Sequence, residues 1–160
     1  MSLRFPAVRP NPETALQNVL RSYNIENFGQ FLYWPATIRV GQFGKWSKRS
    51  FSAKIDTGAS ISLLPGEIKE ELKIAGGIPY SLYGVVRTER CKVDVELVRI
   101  DLQLLDESGN ELVFDDVWVA LSKSERTPSL LGVKGVLENC VLTQKAEDTD
   151  LLITQRNNDS

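Results

Sequence analysis

The chain carries 21 Asp and Glu residues and no histidine. Without imidazole it cannot form a Ser–His–Asp or Cys–His catalytic group, and most catalytic zinc sites lose their usual ligands. Acid–base chemistry near neutral pH is left to carboxylates, Lys, Tyr or Cys. The segment that stands out is Ala53-Lys54-Ile55-Asp56-Thr57-Gly58-Ala59-Ser60, a carboxylate followed by a hydroxyl, a glycine and small residues. Alone, Asp-Thr-Gly most often marks a turn; its context is what lifts it above that. An aspartyl-phosphate role for Asp56 would need a second Asp two residues on, where position 58 is Gly. Asp115-Asp116 and the scattered acids lack the spacing of a calcium loop and read as solvated faces. Cys91 and Cys140 make neither a disulfide framework nor a C-x-x-C pair, so both are expected reduced and half-buried. No metal or cofactor is expected.

The elements that must position Asp56 read as strands. Ala36 to Val40 alternates, Gly41 to Lys45 looks like a turn, and Arg49 to Ile55 alternates again, so a hairpin delivers the chain to Asp56. Glu67 to Leu72 suits a helical turn, and Gly76-Gly77 a break. Tyr80 to Tyr83 and Arg90 to Leu105 read as strands, and Glu107 to Asn110 as a hairpin turn into Leu112 to Leu121. Asp106-Glu107-Ser108-Gly109 lies in that polar turn and is no second copy of the Asp56 segment. Leu130-Leu131 is a short apolar strand ending at Gly132, with a helical turn expected near 133–138. Val141 to Thr143 and Leu151 to Thr154 form a last hairpin. Before residue 36, Pro6, Pro10 and Pro12 suggest an extended, loosely held leader. Asn11-Pro12 followed by Leu16, Val19, Leu20 and Tyr23 predicts a short helix over 12–23. Many short strands and few helices predict an all-β domain.

A chain of 160 residues, 42% hydrophobic and 25% charged, suits one soluble globular domain with a core of its own. Its net charge of −2 provides no basic field for nucleic acid. No apolar run approaches bilayer length, and residues 1–12 lack a secretory core, so a cytoplasmic location is expected. Trp34, Trp46 and Trp118 are spaced as core or interface anchors, with no aromatic stripe for stacking bases.

The Asp56 segment resembles the active-site loop of the aspartic peptidases, whose motif reads apolar-Asp-Thr/Ser-Gly-Ala/Ser. That clan carries a second mark, two large apolar residues and a Gly on a later strand, and Leu130-Leu131-Gly132 matches it. The resemblance spans about 36–154. One motif in a chain half as long as a two-lobed pepsin-like enzyme is similar to the retropepsins, the retroviral type, here of the cellular or prokaryotic single-domain kind. The resemblance implies a closed acid-protease barrel with a flap hairpin. It also implies a homodimer whose two copies of Asp56 activate a water to hydrolyse peptide bonds. Thr57, Gly58 and Ala59 would support the loop, with Thr57 bonding across to the partner. Leu130 and Leu131 would form an apolar floor, and Gly132 would allow close packing. The flap would run from Ile78 to Val98, with Tyr83, Gly84, Val85, Val86 and Arg87 at or near its tip. After Gly132 the chain reads Val133-Lys134-Gly135, departing from the family's usual Arg then Asn or Asp.

The sequence therefore divides into an N-terminal extension over 1–35, a candidate propeptide or regulatory arm, then a peptidase domain over 36–154 and a disordered tail over 155–160. Peptide or protein substrate and a second copy of the chain are the expected partners, with no nucleic acid and no membrane. A rival reading keeps the fold as an inactive dimerisation or peptide-binding module. A further one limits the chemistry to self-processing.

Overall fold

A computed structural model describes residues 1–8, 34–83, 92–144 and 150–156. The predicted helix over 12–23, the flap tip at Gly84, Val85, Val86 and Arg87, and Cys91 lie outside those residues. So does the tail over 157–160.

The fold is β-dominated, as the alternation predicts. Strand β2 (Trp34–Gln42) turns back through Phe43 and Gly44 into β3 (Lys45–Trp46), and β4 (Phe51–Ile55) pairs with β2 from Ile38↔Phe51 to Trp34↔Ile55. Both loop residues lie at positive φ, 52° and 76°, the twist a two-residue hairpin demands. Strand β5 (Ser62–Pro65) leads into the one-turn helix α1 (Glu67–Glu71). Strands β6 (Ile78–Tyr83) and β7 (Lys92–Leu105) form the two arms of the expected flap hairpin, paired from Ile78↔Leu97 to Tyr83↔Lys92. Strand β8 (Glu111–Ser122) runs antiparallel to β7, and β9 (Leu130–Leu131) is the predicted apolar pair. A 3₁₀ turn, Leu137–Asn139, precedes the hairpin of β10 (Cys140–Gln144) and β11 (Leu151–Gln155).

Six of these strands close a ring in the order β2-β4-β9-β5-β8-β7, and β7 returns to pair with β2. Two contacts are parallel, β4 with β9 and β5 with β8. The interior is apolar: Ile38, Val40, Ile100, Leu102, Leu104, Val119 and Leu131 are all essentially inaccessible to solvent. A smaller cluster of Leu63, Val95 and Ala120, with Ile61, Leu82, Leu97 and Leu130 against it, joins β5 and β8 to the β6–β7 pair.

Strand β7 serves two partners. Its first half pairs with β6 and its second half with β2, and the register to β8 shifts between Ile100 and Leu102. Asp115 and Asp116 stand there opposite Asp101, a bulge that bends the ladder where β7 changes partner. Asp116 adopts φ 55°, donates its N–H to the Asp101 carboxylate at 2.9 Å and pairs with Arg99, whose guanidinium lies over the Trp118 ring. The acid pair is thus a bend in the sheet.

The leader differs from expectation at its start. Residues Ser2–Phe5 form strand β1, which pairs with β11 from Ser2↔Thr154 to Phe5↔Leu151. Leu3 and Phe5 are buried in the main core, so this part of the leader is not loosely held. Alternation of Leu3 and Phe5 with Ser2 and Arg4 puts the two apolar side chains on one face. Among the described residues no helix is long and apolar enough to cross a membrane.

Candidate functional site

Strand β4 buries Phe51, Ala53 and Ile55 and exposes Ser52 and Lys54. Continuing that alternation brings Asp56 out on the Lys54 side. Strand β9 holds this end of β4: Lys54 donates its N–H to Ser129 at 2.9 Å and Asp56 to Leu131 at 3.0 Å. The chain then folds back on the aspartate. Asp56 Oδ1 accepts the N–H of Gly58 at 2.8 Å, and its carbonyl accepts that of Ala59 at 3.2 Å. A Cβ at position 58 would stand 3.1 Å from Oδ1, so glycine leaves room for the carboxylate.

The far limb of the loop is laced to the residues after β9. Val133 donates to Ala59 O at 2.8 Å and Lys134 to Ser60 O at 2.9 Å. Gly132 donates to the hydroxyl of fully buried Ser62 at 3.0 Å. A Cβ on Gly132 would lie 2.4 Å from the backbone carbon of Ile61, closer than real atoms approach, so only glycine fits between these segments. Leu131 is wholly buried in the main core, whereas Leu130 is part-exposed and faces the cleft. Beyond Gly132, where the chain departs from the family pattern, Glu138 accepts from the Gly135 N–H at 2.7 Å and pairs with Lys134 at 3.1 Å. These contacts hold the Glu138 carboxyl below its ordinary range, the Gly135 bond foremost.

Asp56 sits between two hollows. The larger, about 470 Å³, is walled by Trp34, Lys54, Thr57, Leu130, Leu142 and Leu151. The smaller, about 160 Å³, is walled by Gly58, Ser60, Ile61, Leu63, Leu82 and Tyr83, with Leu130 shared between the two. Tyr83, expected on the flap, therefore reaches the same hollow as Asp56, Gly58 and Ala59. Thr57 faces the other one and is exposed, while Leu131 and Gly132 lie behind the loop as support. Trp34, Leu142 and Leu151 were not singled out as site residues by motif reading, because they reach the site from strands far away in sequence. Ser62 left a fainter signal, a lone hydroxyl in the apolar run Ile61-Ser62-Leu63-Leu64.

Among the described residues, Asp56 is the sole carboxylate lining either hollow, and no group of three or more acids or thiols is placed to hold a metal. Asp106, at the other Asp-rich turn, is fully engaged elsewhere. Burial pushes its pKa up, but bonds from the Asn110 side chain and from the backbone N–H groups of Asn110, Arg4 and Ser108 more than offset this and hold it low.

No family model and no curated protein sequence matches the chain. Solved structures do. The crystal structure of a retropepsin-like aspartic protease from Rickettsia conorii superposes with a TM-score of 0.57 over 96% of this chain and 89% of that one, at 13% identity. The chain has a retropepsin-like fold. At that identity the likeness speaks for the architecture alone, a mostly β chain whose strands close a ring.

Proposed function

We propose that the protein is an aspartic endopeptidase active as a homodimer, with Asp56 of each copy forming the catalytic pair. The observation that carries this reading is that, among the described residues, Asp56 is the sole carboxylate at the junction of two hollows, presented by a glycine loop, with Leu82 and Tyr83 of β6 walling one of them. Two such carboxylates brought together cannot both ionise cheaply, so the pair keeps one proton. The ionised one takes a proton from a water held between them, and the protonated one donates to the peptide carbonyl oxygen. The hydroxide adds to the carbonyl carbon. Collapse of the resulting diol breaks the C–N bond as the nitrogen takes up a proton. The exposed Thr57 hydroxyl is the group offered to the partner loop, and an isologous twofold contact would supply the second aspartate.

The test is Asp56→Asn in the full chain. Peptide cleavage and binding of a statine-type inhibitor are both expected in the wild type and lost in the variant, since both need the paired carboxylates. Cleavage at the wild-type rate by a folded Asp56→Asn variant would rule out the mechanism. A folded wild type that neither cleaves peptide nor binds the inhibitor would favour the inactive peptide-binding module.

A further inference from the structure

A hollow of about 830 Å³ lies between the β2–β3 hairpin and α1. It is remote from Asp56. Trp34 pairs with Ile55 at the Asp56 end of β2, whereas Gly41 and Gln42 pair with β3 at the other. At about 3.3 Å per residue those ends stand about 26 Å apart along the strand. Phe43, Trp46 and Leu72 give the hollow an apolar lining. The Trp46 ring presses on Gly41, where a Cβ would stand 2.8 Å from it. Phe43, at the hairpin tip, is 92% exposed and holds φ 52°. Asn, Asp or Gly suit that turn position, and a phenylalanine there is disfavoured. Its ring also gains nothing from the fold by standing in water. The fold alone gives no reason for an aromatic side chain at this tip.

The charges around the hollow are uneven as well. Arg49 is shared by Glu67 at 2.8 Å and Glu71 at 3.9 Å, and Glu71 also accepts the Lys48 N–H at 3.0 Å. These contacts tie α1 to the segment after β3, so the hollow is preformed. Among the described residues, the ammonium groups of Lys45, Lys48 and Lys73 have no ion-pair partner, and Glu70 is the one lining acid left to set against them. Positive charge in excess beside an aromatic pair, in a chain of net charge −2, is complementary to acidic side chains grouped around an apolar one.

We propose that this hollow docks a peptide segment of a partner protein in which an aromatic side chain is flanked by Asp or Glu. The ring packs against Phe43 and Trp46, and the flanking carboxylates pair with Lys45, Lys48 and Lys73. A concave site of this size suits the side chains of a peptide. Glu67, Glu70 and Glu71 on the α1 side set it against a flat anionic surface such as a membrane. Nothing at Asp56 enters the argument, so the docking site stands apart from the peptidase reading.

The experiment measures fluorescence anisotropy of a labelled Gly-Glu-Asp-Phe-Asp-Glu-Gly peptide with the full chain. Two matched probes replace the acids by Gln and Asn, or the Phe by Ala. The acidic Phe peptide is expected to bind about tenfold tighter than either, the factor carried by on the order of 1.4 kcal/mol. Its margin over the amide probe should shrink as salt rises. Phe43→Asn should weaken its binding about tenfold while the urea midpoint holds or rises, because Asn suits the turn. The triple variant Lys45→Gln, Lys48→Gln, Lys73→Gln should remove the difference between acidic and amide probes. Arg126→Gln, at an exposed cation outside the hollow, should leave that difference intact. Asp56→Asn should bind the probe as wild type does, so the docking and catalytic readings fail separately. Equal binding of the acidic and amide probes, no binding of the acidic one, or binding untouched by Phe43→Asn overturns the proposal. So does a wild type that ignores the peptide yet sediments with phosphatidylserine vesicles, which would make the tip a lipid contact. Should the triple variant misfold, Phe43→Asn and the salt dependence decide.

Discussion

Replacing Gly132 by alanine adds one methyl group where the structure has no space for it. The new Cβ would stand 2.4 Å from the Ile61 carbonyl carbon, 2.5 Å from its oxygen and 2.8 Å from Ala59 O. Ordinary contact needs about 3.5 Å or more, so a gap of about 1 Å must open. The obstructing atoms are backbone, and no rotamer change can clear them. Separating the segments lengthens the bonds that join them, Val133 to Ala59, Lys134 to Ser60 and Gly132 to Ser62. Each bond contributes about 1 kcal/mol net, and overpacking alone costs about 1–3 kcal/mol. Allowing for partial relaxation, Gly132→Ala should lose about 2–4 kcal/mol of unfolding free energy, read as a lower urea midpoint at unchanged slope. A domain of this length loses about 2–4 °C of Tm per kcal/mol. Because the displaced segment is the far limb of the Asp56 loop, peptide cleavage should fall by more than the unfolded fraction explains. A variant with the wild-type midpoint and wild-type cleavage would refute the close-packing argument for this glycine.

Two further outcomes follow from the structure. Leu3→Ala should destabilise by about 2–5 kcal/mol in urea unfolding, because Leu3 is a fully buried core residue; a loosely held leader would show almost no change. Glu96, on β7, is held below its ordinary pKa chiefly by its hydrogen bond with the Lys69 ammonium of α1. A carboxylate with a lowered folded pKa contributes stability that is present above its unfolded value and lost as pH falls through the folded one. Removing the partner in Lys69→Met should therefore flatten the loss of stability on acidification below about pH 5, measured by urea midpoints across pH, with little difference between the proteins once Glu96 is protonated in both.

Much of the ring was legible because its strands alternate cleanly. Lys54 and Asp56 on one face, with Ala53 and Ile55 on the other, follow from period two alone, and the β6–β7 and β10–β11 pairs also lie where strands were expected. What escaped were features set by distant partners. Ser2 to Phe5 is too short and too close to prolines to read as a strand until β11 stands beside it. The role of Asp115-Asp116 was hidden for a different reason: two adjacent acids look solvated, and only the mismatch with β7 turns them into a bend. The parallel contacts of β4 with β9 and of β5 with β8 leave no local mark either, since nothing in Leu130-Leu131 names its neighbour. At the site, the loop was visible as a motif. Its walls were not, because Trp34, Leu142 and Leu151 converge only after the ring has closed.

Ser2 and Thr154 touch across 152 positions of chain. Bringing such remote segments together carries a large closure entropy, and contacts of that kind slow the search for the native state. On a ribosome, Leu3 and Phe5 emerge before β11 and must wait, greasy and uncovered, until that strand has been made. A product stalled between the two strands lacks the partner that shelters Leu3 and Phe5, and it is a natural target for chaperones and quality-control proteases.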